Sequence, residues 1–216
     1  MDPLHFTIAT GPLAAYFLLL GGLNLLQRPI LTTGARDTAV LGIALSGFVV
    51  AGPMELFLPE AAAFRFGAWV WVLMLSFYFL CLVLVVLLLR PRLVVYNIAA
   101  EQLRPVLANV VAGLDKDCRW VGEILILPQL DVQLQIESSP LLRNVQLVAA
   151  GSRQSYAGWR QLEISLAEAL SQSRGQSNPI GFALITLAVI ITSGALLWMA
   201  SDSQGVAQAL NQMLRR

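Results

Sequence analysis

Four long runs of apolar residues alternate with polar segments along the chain. They cover residues 6–26, 38–58, 66–89 and 180–200. A helix of about 20 residues, at about 1.5 Å per residue, crosses the hydrocarbon core of a bilayer, which is about 30 Å thick. The pattern therefore predicts four transmembrane helices, three of them within residues 1–90 and the last within residues 179–216.

The third run is the longest, with 24 residues and no charge. Arg90, Pro91 and Arg92 follow it directly. Proline is poorly tolerated in a helix interior, and arginine favours the aqueous side of a membrane interface. We therefore expect the third transmembrane helix to end at Leu89.

Small residues recur at a spacing of four in the second run, which follows a connection formed by residues 27–37. Gly42 pairs with Ser46, and Gly47 pairs with Ala51. This spacing places small side chains along one side of a helix, where a second helix can approach closely. These four residues are therefore predicted to form a helix-packing face.

The end of the second run combines a proline with a carboxyl group. Pro53 cannot donate a backbone hydrogen bond, which leaves the carbonyl of Val49 without its helical donor. Glu55 lies about one turn from the predicted helix end. Glu55, Pro53 and Arg65 are therefore a candidate site for a substrate, a proton or an ion. Alternatively, Glu55 reaches the outer interface or pairs with Arg65 across the short loop.

Tryptophan and arginine indicate how the four predicted helices are oriented. Trp69 and Trp71 open the third run and Trp198 closes the fourth, and indole rings favour the headgroup level. The arginines near the opposite side are Arg28, Arg36, Arg90, Arg92 and Arg174, against Arg65, Arg215 and Arg216 on the tryptophan side. The richer side is expected to be cytoplasmic. Both termini are then outside and residues 91–178 are cytoplasmic.

Residues 91–178 alternate between strand-like and helix-like patterns. The predicted strands cover residues 92–96, 120–127, 130–137 and 144–150. One helix follows Asn97, a residue type that caps helices, and a second follows Ser155 and ends near Ser173. The order β-α-β-β-β-α predicts a small α+β domain, with an antiparallel sheet and both helices on one of its faces.

The predicted strand 130–137 has the most regular alternation in the chain. Its polar positions are Asp131, Gln133, Gln135 and Glu137. If the strand lies at a sheet edge, its free backbone groups can pair with a second chain, and these four residues are candidates for a partner contact. The alternative is a central strand between its two sequence neighbours.

The tail after the fourth run is predicted to form an amphipathic helix. Asp202 or Ser203 can cap it, and its apolar residues share one face. Those residues are Val206, Leu210, Met213 and Leu214. We expect the helix to lie along the membrane or to cover the ends of the transmembrane helices.

Residues that commonly carry catalysis are scarce. His5 is the only histidine and Lys116 the only lysine, and no phosphate-binding loop, nucleophile motif or zinc-binding helix pattern occurs. Cys81 and Cys118 would lie in different surroundings, so neither a disulfide nor a metal site is expected. These patterns argue against an enzyme, a cofactor and a metal. The single lysine argues against a nucleic-acid partner.

The composition, 57% apolar and 12% charged, is typical of integral membrane proteins. The most economical hypothesis is a non-catalytic accessory or scaffold subunit of a membrane assembly, acting through its cytoplasmic domain. Its partners are then the lipid bilayer and either a second copy or another membrane protein. Two alternatives stay open: a channel, transporter or sensor component that uses the Glu55 region, and a membrane enzyme without a recognisable motif.

Overall fold

The computed structural model describes most of the chain, in two compact units. The described residues are 2–54, 66–67, 69–139, 144–152, 154–173 and 178–215. The first unit comprises Met1–Leu20, Ala39–Leu87 and Ala183–Arg216, and the second comprises Gly21–Thr38 and Leu88–Phe182.

Long apolar helices provide most of the first unit. They are α1 (Pro3–Leu25), α2 (Gly34–Val49), α3 (Trp69–Leu88) and α6 (Ile180–Ser201), and α2 continues as a π-helix over Val50–Met54. All four, α2 with its π-helical extension, are long and apolar enough to cross a membrane, by length and composition. The prediction of four such helices is confirmed.

The third helix begins three residues later than predicted, at Trp69. Gly67 precedes it in a left-handed conformation, with φ of +54°, which a regular α-helix does not accommodate. The predicted C-terminal helix is also present, as α7 (Ser203–Arg215). Asp202 caps α7, because its Oδ1 accepts the backbone N–H of Gly205 at 2.9 Å.

The second unit is built on a six-stranded antiparallel sheet. Its strands are β1 (Ile30–Thr33), β2 (Arg92–Tyr96), β3 (Arg119–Val121), β4 (Ile124–Leu127), β5 (Val132–Ser139) and β6 (Asn144–Ala149). Their order is β1-β2-β6-β5-β4-β3, and each neighbouring pair is antiparallel. The prediction of an antiparallel sheet is confirmed, but two details of the predicted order are wrong.

The first error concerns residues 120–127, which form a hairpin rather than one strand. Val121 pairs with Ile124, so only Gly122 and Glu123 make the turn between β3 and β4. Gly122 has a φ of +63°, a conformation that short hairpin turns require and that glycine adopts without steric cost. Gly122 and Glu123 separate two short apolar runs in this stretch, and the chain reverses at these two residues.

The second error concerns residues 27–37, which were predicted to be a simple connection. They include β1, which pairs with β2 from Ile30 opposite Tyr96 to Thr33 opposite Leu93. The described order is therefore β-β-α-β-β-β-β-α, and its first strand precedes α2. Four residues are too few to show an alternating pattern, and the strand exists because β2 offers it a partner.

Two helices, α4 (Ala100–Leu114) and α5 (Tyr156–Ser171), cover one face of the sheet. Their buried residues join those of β2, β4, β5 and β6 in one core. The helical members of this core are Leu103, Leu107, Val111, Trp159, Leu162, Leu166 and Leu170. Apolar burial of this kind is the main favourable term in folding. The core between the sheet and these two helices therefore stabilises the domain.

Strand β5 lies in the interior of the sheet. It pairs with β4 over Val132–Gln135 and with β6 over Leu134–Ser139. β5 is therefore not an edge strand. Its backbone groups are paired on both sides and are not free to pair with a second chain. The edge strands of the described sheet are β1 and β3.

Candidate functional site

Three asparagines are buried where the sheet of the second unit meets helix ends. Asn24, Asn97 and Asn178 have relative exposures of 2%, 0% and 2%. A buried amide is costly unless it is hydrogen-bonded, because water no longer solvates it. The contacts that follow account for the side-chain nitrogen of Asn97 and the side-chain oxygen of Asn178.

Asn97 caps the C-terminal end of α1. Its Nδ2 donates to the carbonyl oxygens of Leu23 at 2.6 Å, Leu26 at 3.0 Å and Arg28 at 3.3 Å. The last carbonyls of a helix have no intrahelical donor, so these bonds satisfy groups that would otherwise be orphaned. Asn97 has a φ of +62°, and asparagine tolerates this left-handed conformation better than most residues.

The predicted role of Asn97 as the N-cap of the next helix is wrong. The N-cap of α4 is Ala99, two residues later, and Ala99 makes no side-chain capping bond. The end of α1 and the start of α4 compete for the Asn97 side chain, and the end of α1 obtains it. The Asn97 amide turns instead toward the carbonyls of a segment more than 65 residues earlier in the sequence.

Asn178 links the ends of α1 and α6. Its backbone N–H donates to the carbonyl of Asn24 at 2.8 Å. Its side-chain Oδ1 accepts the backbone N–H of Ile180 at 3.1 Å, which is a helix N-cap interaction. One residue thus satisfies a carbonyl near the end of α1 and an N–H at the start of α6.

The first turn of α2 contacts the face of the sheet opposite the core. The hydroxyl of Tyr96 donates to the Asp37 carboxylate at 2.6 Å, and Nη2 of Arg92 donates to the Thr38 hydroxyl at 3.0 Å. Gly34 makes this contact possible, because a Cβ at this position would overlap the Arg92 side chain. The second unit therefore includes the ends of several apolar helices as structural parts of its domain.

Farther along the same face, Gln135, Glu137 and Gln146 are polar and Val148 is apolar. Gln135 lies opposite Val148 and Glu137 lies opposite Gln146. Glu137 is exposed, and the other three are half-buried. The polar face predicted for β5 is therefore present, on the side of the sheet away from α4 and α5.

A cavity of about 260 Å³ lies at the end of β4. It is lined by Arg119, Ile126, Leu127, Pro128, Asp131, Val132 and Gln133. Arg119 belongs to β3 on one side of β4, whereas Asp131 and Gln133 belong to the β5 side. The sequence pattern singled out Asp131 and Gln133 but not Arg119, because the pairing of Arg119 with Ile126 depends on the hairpin.

The turn that forms one wall of this cavity rests on a buried carboxylate. Asp115, which has 0% exposure, accepts the backbone N–H of Gln129 and of Asp117, each at 2.9 Å. Asp131 has a φ of +50°, and its carbonyl accepts the N–H of Ser155 at 2.8 Å. These hydrogen bonds therefore hold the wall in place.

The predicted packing face of α2 lies at helix contacts of the first unit. The carbonyl of Gly42 accepts the Tyr78 hydroxyl at 2.6 Å, and a Cβ on Gly42 would overlap Leu82. A Cβ on Gly47 would overlap the backbone carbonyls of α1, that of Ala9 among them. The Ser46 hydroxyl donates to the backbone carbonyl of Ile43 in its own helix, a bond that is common for serine in helices.

The structure describes two further residues of the predicted sites, Ala51 and Pro53. Ala51 and Pro53 lie in the π-helical turn, and Pro53 is exposed. A π-turn at this point accommodates a residue that has no N–H to donate. Glu55 and Arg65 lie outside the described residues, so the site predicted around them stays a prediction.

Comparison with known proteins finds no family model, no curated protein and no solved structure that matches this chain. Across the described ranges, no group of three or more histidine, cysteine, aspartate or glutamate side chains could hold a metal ion. Function is therefore inferred from the arrangement of this chain's own residues.

Proposed function

We propose that this protein is a non-catalytic, multi-pass membrane protein that serves as an accessory or scaffold subunit of a membrane assembly. Its α+β domain is the part that contacts the partner, and its four apolar helices are the membrane anchor. Both termini lie outside and residues 91–178 lie in the cytoplasm, as the arginine and tryptophan distributions favour.

The observation that carries this proposal is the position of β1 in the sheet. The chain between α1 and α2 contributes a strand, and α2 begins at the residue after that strand ends. Asn97 adds hydrogen bonds to the end of α1. A domain that incorporates helix ends, without a long flexible linker before its first strand, suits a subunit that presents a defined contact surface.

The contact surface that we propose is the polar sheet face around Gln135, Glu137 and Gln146. Glutamine side chains both donate and accept hydrogen bonds, so this face can pair with polar groups of a partner. Glu137 adds a single negative charge. The occupant is either another membrane protein or a second copy of this chain.

The test is a double substitution, Gln135→Lys with Glu137→Lys, in the full-length protein purified in a mild detergent. Two lysines should disfavour close approach of a partner but spare the solvent side of an internal strand. Native mass measurement should then show the loss of a specific species that the wild-type protein carries.

The matched control is Glu168→Lys, on the exposed side of α5. It introduces the same type of charge on the opposite side of the domain and should leave the assembly unchanged. If the double variant keeps the wild-type oligomeric mass and every copurifying protein, the proposed contact surface is wrong.

A further inference from the structure

The cavity beside β4 carries a positive charge on one side and a negative charge on the other. Arg119 lies on β3, and Asp131 directly precedes β5. Neighbouring strands are about 4.8 Å apart, so β3 and β5 are separated by about 10 Å. Between them, Ile126, Leu127 and Pro128 line the cavity.

Both charged groups are available to a ligand. Arg119 and Asp131 are exposed, and in the part of the chain that the structure describes, neither side chain forms a hydrogen bond or an ion pair. A guanidinium binds a carboxylate through two parallel N–H···O bonds, and a carboxylate accepts hydrogen bonds from an ammonium group. The two side chains are therefore complementary to a molecule that carries both of those groups.

We propose that this cavity binds a small zwitterion of the amino-acid type. The ligand carboxylate pairs with Arg119, its ammonium group pairs with Asp131, and its carbon skeleton lies against Ile126. The volume of about 260 Å³ is slightly below the roughly 300–1,000 Å³ that is typical of ligand pockets. This volume accommodates a ligand of a few heavy atoms.

The backbone of the Asp131 side of the cavity is pre-organised. Asp115 holds Gln129 from within the domain, and Ser155 holds the carbonyl of Asp131. A site that does not have to order its backbone on binding loses less entropy when the ligand arrives. Asp115 is therefore a positioning residue of this site, without a contact to the ligand.

This inference goes beyond the proposed contact function and uses different residues. Gln135 and Glu137, on the proposed partner surface, do not line the cavity. Ligand binding and partner contact can therefore be tested separately. A negative result for one proposal does not contradict the other.

The first experiment is isothermal titration calorimetry of the full-length protein in detergent with each of the twenty standard amino acids. At least one should bind saturably. The strongest binder is then compared with its N-acetylated form, which lacks the ammonium group, and with its amide, which lacks the carboxylate. Each analogue should bind about 10-fold more weakly or worse, the loss expected for about 1.4 kcal/mol.

Two variants assign the charges to the two side chains. Arg119→Gln should abolish the preference for the amino acid over its amide, and Asp131→Asn should abolish the preference over the N-acetylated form. Both residues are exposed, and asparagine tolerates the positive φ at residue 131. Neither substitution should therefore impair folding, which the near-ultraviolet circular dichroism spectrum checks.

The matched control is Arg160→Gln, which removes an exposed arginine from α5, outside the cavity. It should bind like the wild type. The proposal is overturned if none of the twenty amino acids binds saturably. It is equally overturned if the two cavity variants bind as tightly as the Arg160 control.

Discussion

The side-chain nitrogen of Asn97, at the end of β2, lies 2.6 Å from the carbonyl oxygen of Leu23, at the end of α1. The two residues are 74 positions apart in the sequence. This single contact joins an apolar helix to the sheet of the α+β domain. It gives the buried side-chain nitrogen of Asn97 a hydrogen-bond acceptor.

Replacement of Asn97 should separate these two contributions. Asn97→Ala loses the three donor contacts and places a Cβ at positive φ, so we expect a loss of about 3 kcal/mol in the free energy of unfolding. Asn97→Gly loses the same contacts but adopts this φ freely, so its loss should be about 1 kcal/mol smaller. Chemical unfolding followed by the fluorescence of Trp159, which has only 5% exposure, reports on the domain once phenylalanine replaces the other four tryptophans in every variant compared. Equal stability of wild type and the glycine variant would show that the contacts contribute nothing.

Two glycines of the second unit should respond in opposite ways to alanine. Gly34→Ala places a Cβ where Arg92 lies, so we expect a loss of about 1–3 kcal/mol. Gly113→Ala lies in the last turn of α4, where a Cβ meets nothing within 4 Å, so it should stabilise the helix by up to about 1 kcal/mol. The difference between the two variants measures the contact between the first turn of α2 and the sheet. A neutral Gly34→Ala variant would contradict that packing.

The proposed orientation can be tested by cysteine labelling in intact cells. In a variant that lacks Cys81 and Cys118, a single cysteine at Glu60 should react with a membrane-impermeant reagent before lysis. A single cysteine at Glu168, which is exposed on the domain, should react only after lysis. The opposite pattern would invert the orientation and place residues 91–178 outside.

The number and length of the apolar helices and the alternation of β5 could be predicted from the sequence. These features depend on local periodicity, because each element records its own burial in the spacing of its apolar residues. A run of 24 uncharged residues contains α3 within its limits, and strict alternation identifies β5 before its neighbours are known.

Only the tertiary structure decided which elements pair and what their polar residues do. The Ile30–Thr33 segment is a strand because β2 lies beside it, and Asn97 caps α1 because the chain returns to that helix end. Arg119 and Asp131 share a cavity only because Gly122 reverses the chain between β3 and β4. A contact between distant positions produces no periodic pattern in the sequence around either residue. The local pattern of each partner is compatible with many different partners, so it does not identify the one that is used.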